Sequence, residues 1–436
     1  MYFGCIADDF TGAADAASFL QKGGMEVVLV SGIPENRGKG GFADDVNGVV
    51  IALKSRALPP REAVDQSFKA ARWLKEAGAE QIYVKYCSTF DSTEKGNIGP
   101  VCDRLLEWSG QQFTLLCPSM PSNGRTVKDG ILYVDKVPLA ESPMRHHPVN
   151  PMKKSRIRDL MESQSEYPCY ETRTDFAGLA KGEQEPAAGK GNQRHYYLIP
   201  DYETQQDGRA IVRQFGALGL LTGGSGLCEA LAAYHVEKKG GGPSPETVSW
   251  KTAENKTGQR QKKVLILAGS CSRATRQQIE AWKRAGGSCL RIDPQQLLED
   301  FSVLDQAKKR IGDMDGQLLV YSALAAGDGD ERGQAKNQAE GRQQNQAELS
   351  SVLDRAFSQL ALYGRDCECE GIVVAGGETS GAVTKALGYQ AFYVGDSIAP
   401  GVPILVPVED RRVRLVLKSG NFGGERFFEE AKEAIC

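Results

Sequence analysis

The fold of this chain is decided by the stretch Ile372-Val373-Val374-Ala375-Gly376-Gly377-Glu378-Thr379-Ser380-Gly381-Ala382-Val383. Its apolar beginning predicts a buried strand, and the residues after the Gly-Gly turn predict a helix through Leu387. Glycine at such a turn lets the backbone approach a ligand without a Cβ in the way. Free N–H groups and the helix dipole favour an anion at a helix N-terminus. The stretch predicts either a phosphate site or a plain turn in which Thr379 caps the helix.

Strand-like and helix-like segments alternate along the whole chain. Residues 2–7 predict a strand and residues 13–20 a helix, and strands are predicted again at 264–268 and 414–417. Alternation of this kind is typical of α/β folds with mainly parallel sheets. The sequence therefore predicts the α/β class, with two α/β domains and a ligand cleft between them.

A polar stretch near residue 250 divides the chain. It contains Gly240-Gly241-Gly242-Pro243 and a run of Lys, Gln and Thr that has little apolar surface to bury, a composition typical of linkers. We predict an N-terminal domain over 1–238, a linker over 239–262 and a C-terminal domain over 263–436. Two other polar stretches, 181–193 and 327–348, are predicted to be solvated insertions.

Composition and charge argue against several classes of protein. The 436 residues have a net charge of −3 with both signs interspersed, which predicts neither a nucleic-acid nor a membrane surface. No signal peptide and no apolar run of membrane-spanning length is visible. The 11 cysteines are scattered, and their spacing matches neither a zinc site nor a redox motif. We predict a cytoplasmic protein with reduced cysteines and no structural metal.

Charged clusters follow the predicted strands of the N-terminal half, where ligands bind in open α/β sheets. These clusters are Asp8-Asp9, Lys54-Ser55-Arg56, the block from Lys85 to Thr93, Asn123-Gly124-Arg125-Thr126 and Arg145-His146-His147. A carboxylate can take a proton from a hydroxyl, and Arg or Lys can bind a carboxylate. The clusters are suited to a small polyhydroxy acid. The alternative is that side chains such as Asp9, Asp91 and Ser92 only cap helices.

The clusters of the C-terminal half contain glycine and small hydroxyl residues but few charges. They are Gly269-Ser270-Cys271-Ser272, Gly376 to Ser380, and Gly420-Asn421. A nucleotide held by backbone N–H groups would be bound well there. No Gly-x-x-x-x-Gly-Lys-Ser/Thr motif is present, which excludes a P-loop ATPase, and dinucleotide binding has little support. Phosphoryl transfer needs mainly positioning and charge neutralisation, commonly with Mg²⁺, and both sets of clusters together would provide them.

Together the motifs resemble those of the four-carbon acid sugar kinase family, in the same order and over nearly the whole chain. They include Ala7-Asp8-Asp9-Phe10-Thr11-Gly12, Lys85-Tyr86-Cys87-Ser88-Thr89-Phe90-Asp91-Ser92-Thr93, Pro143-Met144-Arg145-His146-His147-Pro148, Gly377-Glu378-Thr379-Ser380 and Lys418-Ser419-Gly420-Asn421. The resemblance implies an acid-sugar-binding N-terminal domain, a C-terminal domain that binds ATP with Mg²⁺, and transfer of the γ-phosphoryl group to the terminal hydroxyl. The form of residues 85–93, followed by 96–100, is most similar to the 3-oxo-tetronate kinase branch.

The resemblance also implies the site residues. The acid site would contain Asp8, Asp9, Lys85, Asp91, Ser92, Arg145 and His147, and Asp9 is preferred over Asp8 as the catalytic base. The nucleotide site would contain Ser270, Gly376, Gly377, Glu378, Thr379, Ser380, Gly420 and Asn421, and no protein ligand for a metal is predicted.

Two alternatives stay open on the sequence. One is a kinase of threonate or erythronate, and the other is a non-catalytic sensor of an acid sugar or a nucleotide. The expected partners are a small acid sugar and ATP, without nucleic acid or membrane, and a homo-oligomer is compatible with the sequence.

Overall fold

The computed structural model of the protein describes residues 1–34, 46–146, 150–172, 195–240, 262–270, 272–322, 339–420 and 422–436, without the side chains of 146 and 339–347. The chain forms two compact units, Met1–Val248 and Ser249–Cys436. The predicted insertion at 181–193 and nearly all of the predicted linker lie outside the described residues.

A parallel sheet forms the centre of the N-terminal unit. Its strands, in spatial order, are β11 (Leu220–Gly223), β4 (Gln81–Lys85), β1 (Phe3–Ala7), β3 (Gly48–Ala52) and β2 (Val27–Ser31). The unit's larger helices are α1 (Phe10–Lys22), α2 (Pro60–Glu76), α3 (Ile98–Ser109), α5 (Gln205–Phe215) and α6 (Cys228–Lys238). Strands β1, β3 and β4 are buried along their whole length, as expected for parallel strands covered on both faces.

Two small sheets complete the N-terminal unit. One is parallel and contains β5 (Phe113–Leu115), β10 (Tyr196–Pro200) and β9 (Cys169–Thr172). The other is antiparallel and contains β6 (Arg125–Lys128), β7 (Ile131–Val134) and β8 (Val137–Pro138). The sequence of 131–137 predicts one hairpin strand, but Asp135 and Lys136 have φ values of 51° and 69°, which make a turn. The sequence of 153–161 predicts a short helix, but α4 (Ile157–Met161) begins only at Ile157, because the Ser155 carbonyl accepts a backbone hydrogen bond from Leu132.

The C-terminal unit also contains a mainly parallel sheet. The strands of its parallel part, in spatial order, are β18 (Arg414–Lys418), β15 (Gly371–Ala375), β12 (Val264–Ala268), β14 (Gln317–Ser322) and β13 (Cys289–Ile292). Next to β18 the order continues with the antiparallel strands β17 (Val402–Pro407) and β16 (Ala391–Ala399). The helices of this unit include α7 (Arg273–Arg284), α8 (Pro294–Glu299), α9 (Leu304–Gly312), α10 (Ala339–Asp366), α11 (Gly377–Leu387) and α12 (Phe427–Ile435).

The predicted α/β class with mainly parallel sheets is confirmed, and two further local features differ. Strands β16 and β17 were not predicted, because β16 contains Gly395-Asp396-Ser397, residue types that are uncommon in strands. Helix α10 begins at Ala339, inside the stretch predicted as a solvated insertion. In the described part of the chain, no helix is long and apolar enough to cross a bilayer.

Candidate active site

Parallel pairing brings together four charged residues at one end of the N-terminal sheet. Asp8 and Asp9 directly follow β1, whose last residue is opposite Lys85, the last residue of β4. Strand β3 pairs with the other side of β1 in the same register, and the turn after it carries Arg56. The structure thus brings three of the predicted acid-site residues together and adds Arg56. The sequence placed Arg56 in the strand-end cluster Lys54-Ser55-Arg56, and that place after a strand was the signal that could have identified it.

Arg56 bridges the two carboxylates. Its Nε and Nη2 each donate to one oxygen of Asp8 at 2.8 Å, and its Nη1 lies 2.8 Å from Asp9 Oδ2. Burial opposes the charge of Asp8, but the Arg56 guanidinium and the Lys85 ammonium together outweigh burial and hold the pKa of Asp8 below its ordinary value. Asp9 Oδ1 also accepts from the Gly12 N–H at 2.7 Å, so Asp9 is the N-cap of α1. The capping alternative therefore holds for Asp9, which at the same time belongs to the charged group.

Lys85 is a buried cation in this group. The residue is 5% exposed, and within the described ranges its ammonium has no hydrogen-bond acceptor. Burial opposes its charge, but the neighbouring Asp8 and Asp9 outweigh burial and raise the pKa of Lys85. A side chain at Gly12 would collide with the Lys85 ammonium, so this glycine leaves the space that the cation needs. The ammonium is therefore charged and available to an anion.

Asn97 fixes the turn that carries Arg56. Its amide donates to the carbonyls of Ser55 and Leu58, both at 2.9 Å. Asn97 is 8% exposed and directly precedes α3. It therefore connects residues 96–100 to the charged group, because the turn that it holds carries Arg56. It was not among the predicted site residues, because a sequence does not show which turn an asparagine side chain reaches.

The other predicted acid-site residues lie in different surroundings. The hydroxyl of Ser92 donates to Gln164 Oε1 at 3.2 Å, and the Asp91 carbonyl accepts from Asn150 Nδ2 at 3.4 Å. Neither residue is the N-cap of α3, so the capping alternative is wrong for both. Arg145 is exposed in a 3₁₀ turn at Pro143–His146. His147 lies outside the described residues.

Asp15 is a buried acid that the sequence did not point to. It lies in α1, is 6% exposed, and accepts a short hydrogen bond from the Ser225 hydroxyl. Its other oxygen is buried without a hydrogen-bond donor among the described atoms. Burial raises the pKa of Asp15, although the nearby Lys85 acts in the opposite direction. The only available signal was a carboxylate inside the alanine-rich run of α1.

In the C-terminal unit, the same register brings three strand-end turns together. Ala268 of β12 is opposite Ala375 of β15, which is opposite Lys418 of β18. The turns that follow carry Ser270, Gly376 and Gly420, respectively. A Cβ at Gly420 would collide with the Ser270 hydroxyl, and a Cβ at Gly376 would lie 3.3 Å from the Ser270 nitrogen.

The predicted residues 376–380 form the beginning of α11. Gly376 is the N-cap, and its φ of 139° favours glycine. The alternative that Thr379 caps the helix is wrong, because Thr379 lies inside the helix and donates to Asp354 Oδ1 at 3.0 Å. Glu378 is exposed and accepts from the Ser350 hydroxyl at 3.1 Å. The first-turn N–H groups of a helix have no acceptor within it, so the N–H groups of Gly377, Glu378 and Thr379 are available to an anion, whereas the Ser380 N–H donates to the Gly376 carbonyl at 2.9 Å.

Two further groups shape the nucleotide-site candidate. Ser380 is 2% exposed, and its hydroxyl has no hydrogen-bond partner among the described atoms. The Gly420 carbonyl accepts from Ser272 Oγ at 2.5 Å, Thr275 Oγ1 at 3.0 Å and Lys418 Nζ at 3.0 Å. Lys418 was quoted in the C-terminal motif but was not among the predicted site residues. Asn421 lies outside the described residues.

We expect Arg56→Gln to destabilise the N-terminal unit at neutral pH. A carboxylate with a depressed pKa contributes stability that is present above its unfolded value and is lost as pH falls through the folded value. The variant should lose about 2 kcal/mol of unfolding free energy at pH 7, the scale of hydrogen bonds to charged groups. The difference from the wild type should shrink as pH falls below about 4, the ordinary aspartate value, toward the lower pKa that Asp8 has in the folded protein. Urea unfolding from pH 3 to 7 measures both, with exposed Arg61→Gln as control. Equal stability at pH 7 would contradict the prediction.

Two family models match the chain. A sugar-binding N-terminal domain matches residues 3–231, and a nucleotide-binding C-terminal domain matches residues 265–428. The first match contains the Asp8–Arg56–Asp9–Lys85 group, and the second contains the turns at Ser270, Gly376 and Gly420.

Relatives of known name and known structure match almost the full length. Proteins named 3-oxo-tetronate kinase from Brucella melitensis and Pseudomonas fluorescens are 37% and 39% identical, over 99% and 98% of this chain and 95% and 96% of theirs. A crystal structure from Salmonella typhimurium LT2 has a TM-score of 0.81 at 35% identity, over 99% of both chains. One from Haemophilus influenzae has a TM-score of 0.75 at 34% identity, over 99% of this chain and 100% of that one. The chain therefore belongs to the family that joins a sugar-binding N-terminal domain to a nucleotide-binding C-terminal domain, the family of the 3-oxo-tetronate kinases.

Proposed function

We propose that this protein is an ATP-dependent kinase that phosphorylates the terminal hydroxyl of a four-carbon acid sugar, specifically a 3-oxo-tetronate. The observation that carries the proposal is the full-length similarity to relatives named 3-oxo-tetronate kinase. The charged group in one unit and the turns at the N-terminus of α11 in the other supply the two kinds of site that such a reaction needs.

The N-terminal domain, over 1–238, would bind the acid. Its substrate carries a carboxylate, and Lys85 offers a buried ammonium that lacks an acceptor among the described residues. Arg56 already gives three of its N–H groups to the two aspartates, so we assign the substrate carboxylate to Lys85. Asp91, Ser92, Arg145 and His147 stay predicted members of this site.

We assign the role of catalytic base to Asp9. Both oxygens of Asp8 are held by Arg56, and that contact keeps the pKa of Asp8 low, which makes it a poor proton acceptor. Asp9 shares only one oxygen with Arg56, its other oxygen accepts from the Gly12 N–H, and its side chain is 31% exposed against 15% for Asp8. Asp9 is therefore the carboxylate that a substrate hydroxyl can reach.

The C-terminal domain, over 263–436, would bind ATP. Its phosphates would be bound by the N–H groups at the start of α11, at Gly377, Glu378 and Thr379, and by the Ser380 and Ser270 hydroxyls. Gly376, Gly420 and Asn421 would line the same site. Gly420 has no Cβ, so a ligand can approach the backbone closely there. The Ser380 hydroxyl has no hydrogen-bond partner among the described atoms and can bind the same ligand.

Mg²⁺ is expected to accompany ATP. The described ranges contain no group of three or more His, Cys, Asp or Glu side chains placed to hold a metal. Mg²⁺ usually keeps several waters and is bound through substrate phosphates with one or two carboxylates, so a protein cage is not required. When bound, it would neutralise charge on the phosphates.

The proposed reaction is a direct transfer. The terminal oxygen of the acid sugar forms a bond to the γ-phosphorus while the bond from that phosphorus to the β–γ bridging oxygen breaks. Asp9 accepts the hydroxyl proton, and ADP leaves with the bridging oxygen. Lys85 holds the acid so that its far end stays near Asp9.

We also assign the protein to the cytoplasm, with the acid sugar and ATP as its partners. The cysteines in the described ranges are all free thiols, and most are buried, which suits a reducing compartment. A homo-oligomer, compatible with the sequence, stays a prediction.

The first test measures ADP release with Mg-ATP and a panel of acids. We expect turnover with a 3-oxo-tetronate and slower turnover with D-threonate, L-threonate and D-erythronate. Turnover with only the 3-hydroxy acids would keep the kinase and overturn the 3-oxo assignment. Nucleotide binding without turnover of any acid would favour the sensor.

Replacing Asp9 by Asn separates the catalytic role from the capping role. Asparagine is as good an N-cap as aspartate, so the helix should be retained. It cannot accept the proton, and we expect kcat to fall by about 10²–10⁴-fold while the affinity for an ATP analogue stays the same. The exposed Asp65→Asn on α2 is the control. An unchanged kcat would remove Asp9 from the mechanism.

Replacing Gly420 by Ala tests the nucleotide site. The added Cβ would collide with the Ser270 hydroxyl and push apart the two turns that we assign to ATP. We expect the affinity for a non-hydrolysable ATP analogue to fall by about tenfold, measured by titration calorimetry. Gly381→Ala is the matched control, because a Cβ there has no atom within 4 Å. Equal losses in both variants would contradict the assignment.

A further inference from the structure

Lys418 is a fully buried lysine whose contacts are all uncharged. It is the last residue of β18 and is 0% exposed. Its ammonium donates to Thr275 Oγ1 at 3.2 Å, to the Ser419 carbonyl at 3.1 Å and to the Gly420 carbonyl at 3.0 Å. Three donors thus meet three acceptors, which is the full hydrogen-bonding capacity of an ammonium group.

These contacts join the turns of the proposed ATP site. Through its side chain, Lys418 holds the turn after β18 against Thr275 at the beginning of α7. Through its backbone carbonyl, it accepts from the N–H of Gly376, the N-cap of α11, at 3.0 Å. The Gly420 that it holds would collide with the Ser270 hydroxyl if it carried a Cβ. Lys418 therefore connects the turns after β15 and β18 to the beginning of α7, the helix that follows the Ser270 turn.

No charge in the described part of the chain compensates Lys418. Helix α7 presents the Thr275 hydroxyl to it, and α12 presents the ring of Phe427, whose centroid lies 5.7 Å from Nζ. Strand β15 lies alongside β18 with the apolar residues Val374 and Ala375 at this level. Burial alone lowers the pKa of Lys418 to about 7, and no charged group contributes to the shift. The charged residues on these elements, such as Arg276 and Glu430, therefore do not contribute to the pKa shift of Lys418.

We infer that Lys418 is a positioning residue for the nucleotide. Lys418 holds the Gly420 turn in its binding geometry only as an ammonium, and it takes up a proton when a nucleotide binds. The inference rests on the proposal that this unit binds ATP. A neutral amine has two N–H donors and a lone pair, so it can serve only two of the three acceptors. If the lone pair accepts the proton of the Thr275 hydroxyl instead, that hydroxyl no longer donates to the Gly420 carbonyl. Nucleotide phosphates close to the ammonium stabilise its charge, and binding therefore raises its proton affinity.

The test is titration calorimetry of a non-hydrolysable ATP analogue with Mg²⁺ at pH 8, in two buffers of different ionisation enthalpy. At this pH most of Lys418 is neutral in the free protein. We expect a net uptake of protons on binding to the wild-type protein, and an affinity that falls as pH rises from 7 to 9. The absence of proton uptake in the wild type would overturn the inference without any variant.

Lys418→Met completes the test, because methionine has a similar length but no donor. We expect about a tenfold weaker affinity at pH 7, no proton uptake and no fall in affinity above pH 7. The exposed Lys385→Met on α11 should behave as the wild type. Binding of wild-type strength in a folded Lys418→Met protein would overturn the inference and leave the kinase proposal intact. Failure of the wild type to bind the analogue would overturn both.

Discussion

Parallel pairing with level strand ends is the constraint on which both candidate sites depend. In the N-terminal unit, Ala7 lies opposite Lys85, and in the C-terminal unit Ala375 lies opposite both Ala268 and Lys418. Parallel strands all end at the same edge of the sheet, so the turns that follow them meet there. A change of register by one residue would turn each of these side chains to the opposite face. The site chemistry thus depends on backbone pairing as much as on the polar residues themselves.

The two units place a buried lysine at the same point of the fold and give it opposite surroundings. Lys85 ends β4 beside two carboxylates, which raise its pKa in spite of burial. Lys418 ends β18 among carbonyl and hydroxyl oxygens, and burial lowers its pKa to about 7. Oxygen dipoles solvate an ammonium less completely than carboxylates do, so the same side chain is a permanent cation in one site and a titratable group in the other.

The sequence was sufficient for most elements and for the strand-end clusters on which both proposed sites are built. At 3–12 and 371–377, an apolar run predicts a buried strand, and the glycine or charged residues that follow predict a turn. Both signals are local in the sequence, so they can be identified without knowledge of the fold. Strand β16 was missed because its pairing with β17 overrides the low strand propensity of Gly395-Asp396-Ser397. The contacts of Thr379 and Ser92 were not predictable either, since their partners Asp354 and Gln164 lie 25 and 72 residues away in sequence.

Residues that act through another group were the hardest to find. Asn97 acts on the turn at 55–58, and Lys418 acts on the Gly420 carbonyl. Each contact depends on a backbone oxygen, which every residue has and no motif can mark. Motifs point to side chains that contact a ligand, whereas the residues that hold the backbone in place become visible only when the chain is folded.

The balance of charge in the N-terminal site bears on how an anionic substrate can enter it. Arg56 contacts both Asp8 and Asp9, and Lys85 supplies the second positive charge that balances the two carboxylates. Asp15 would add a further negative charge, and this would oppose a substrate carboxylate. Burial raises the pKa of Asp15 and its Oδ1 has no donor among the described residues, and both features weaken that opposing charge. The burial of Asp15 thus favours the acid at Lys85, while Asp9 lies beside Arg56 as the proposed proton acceptor.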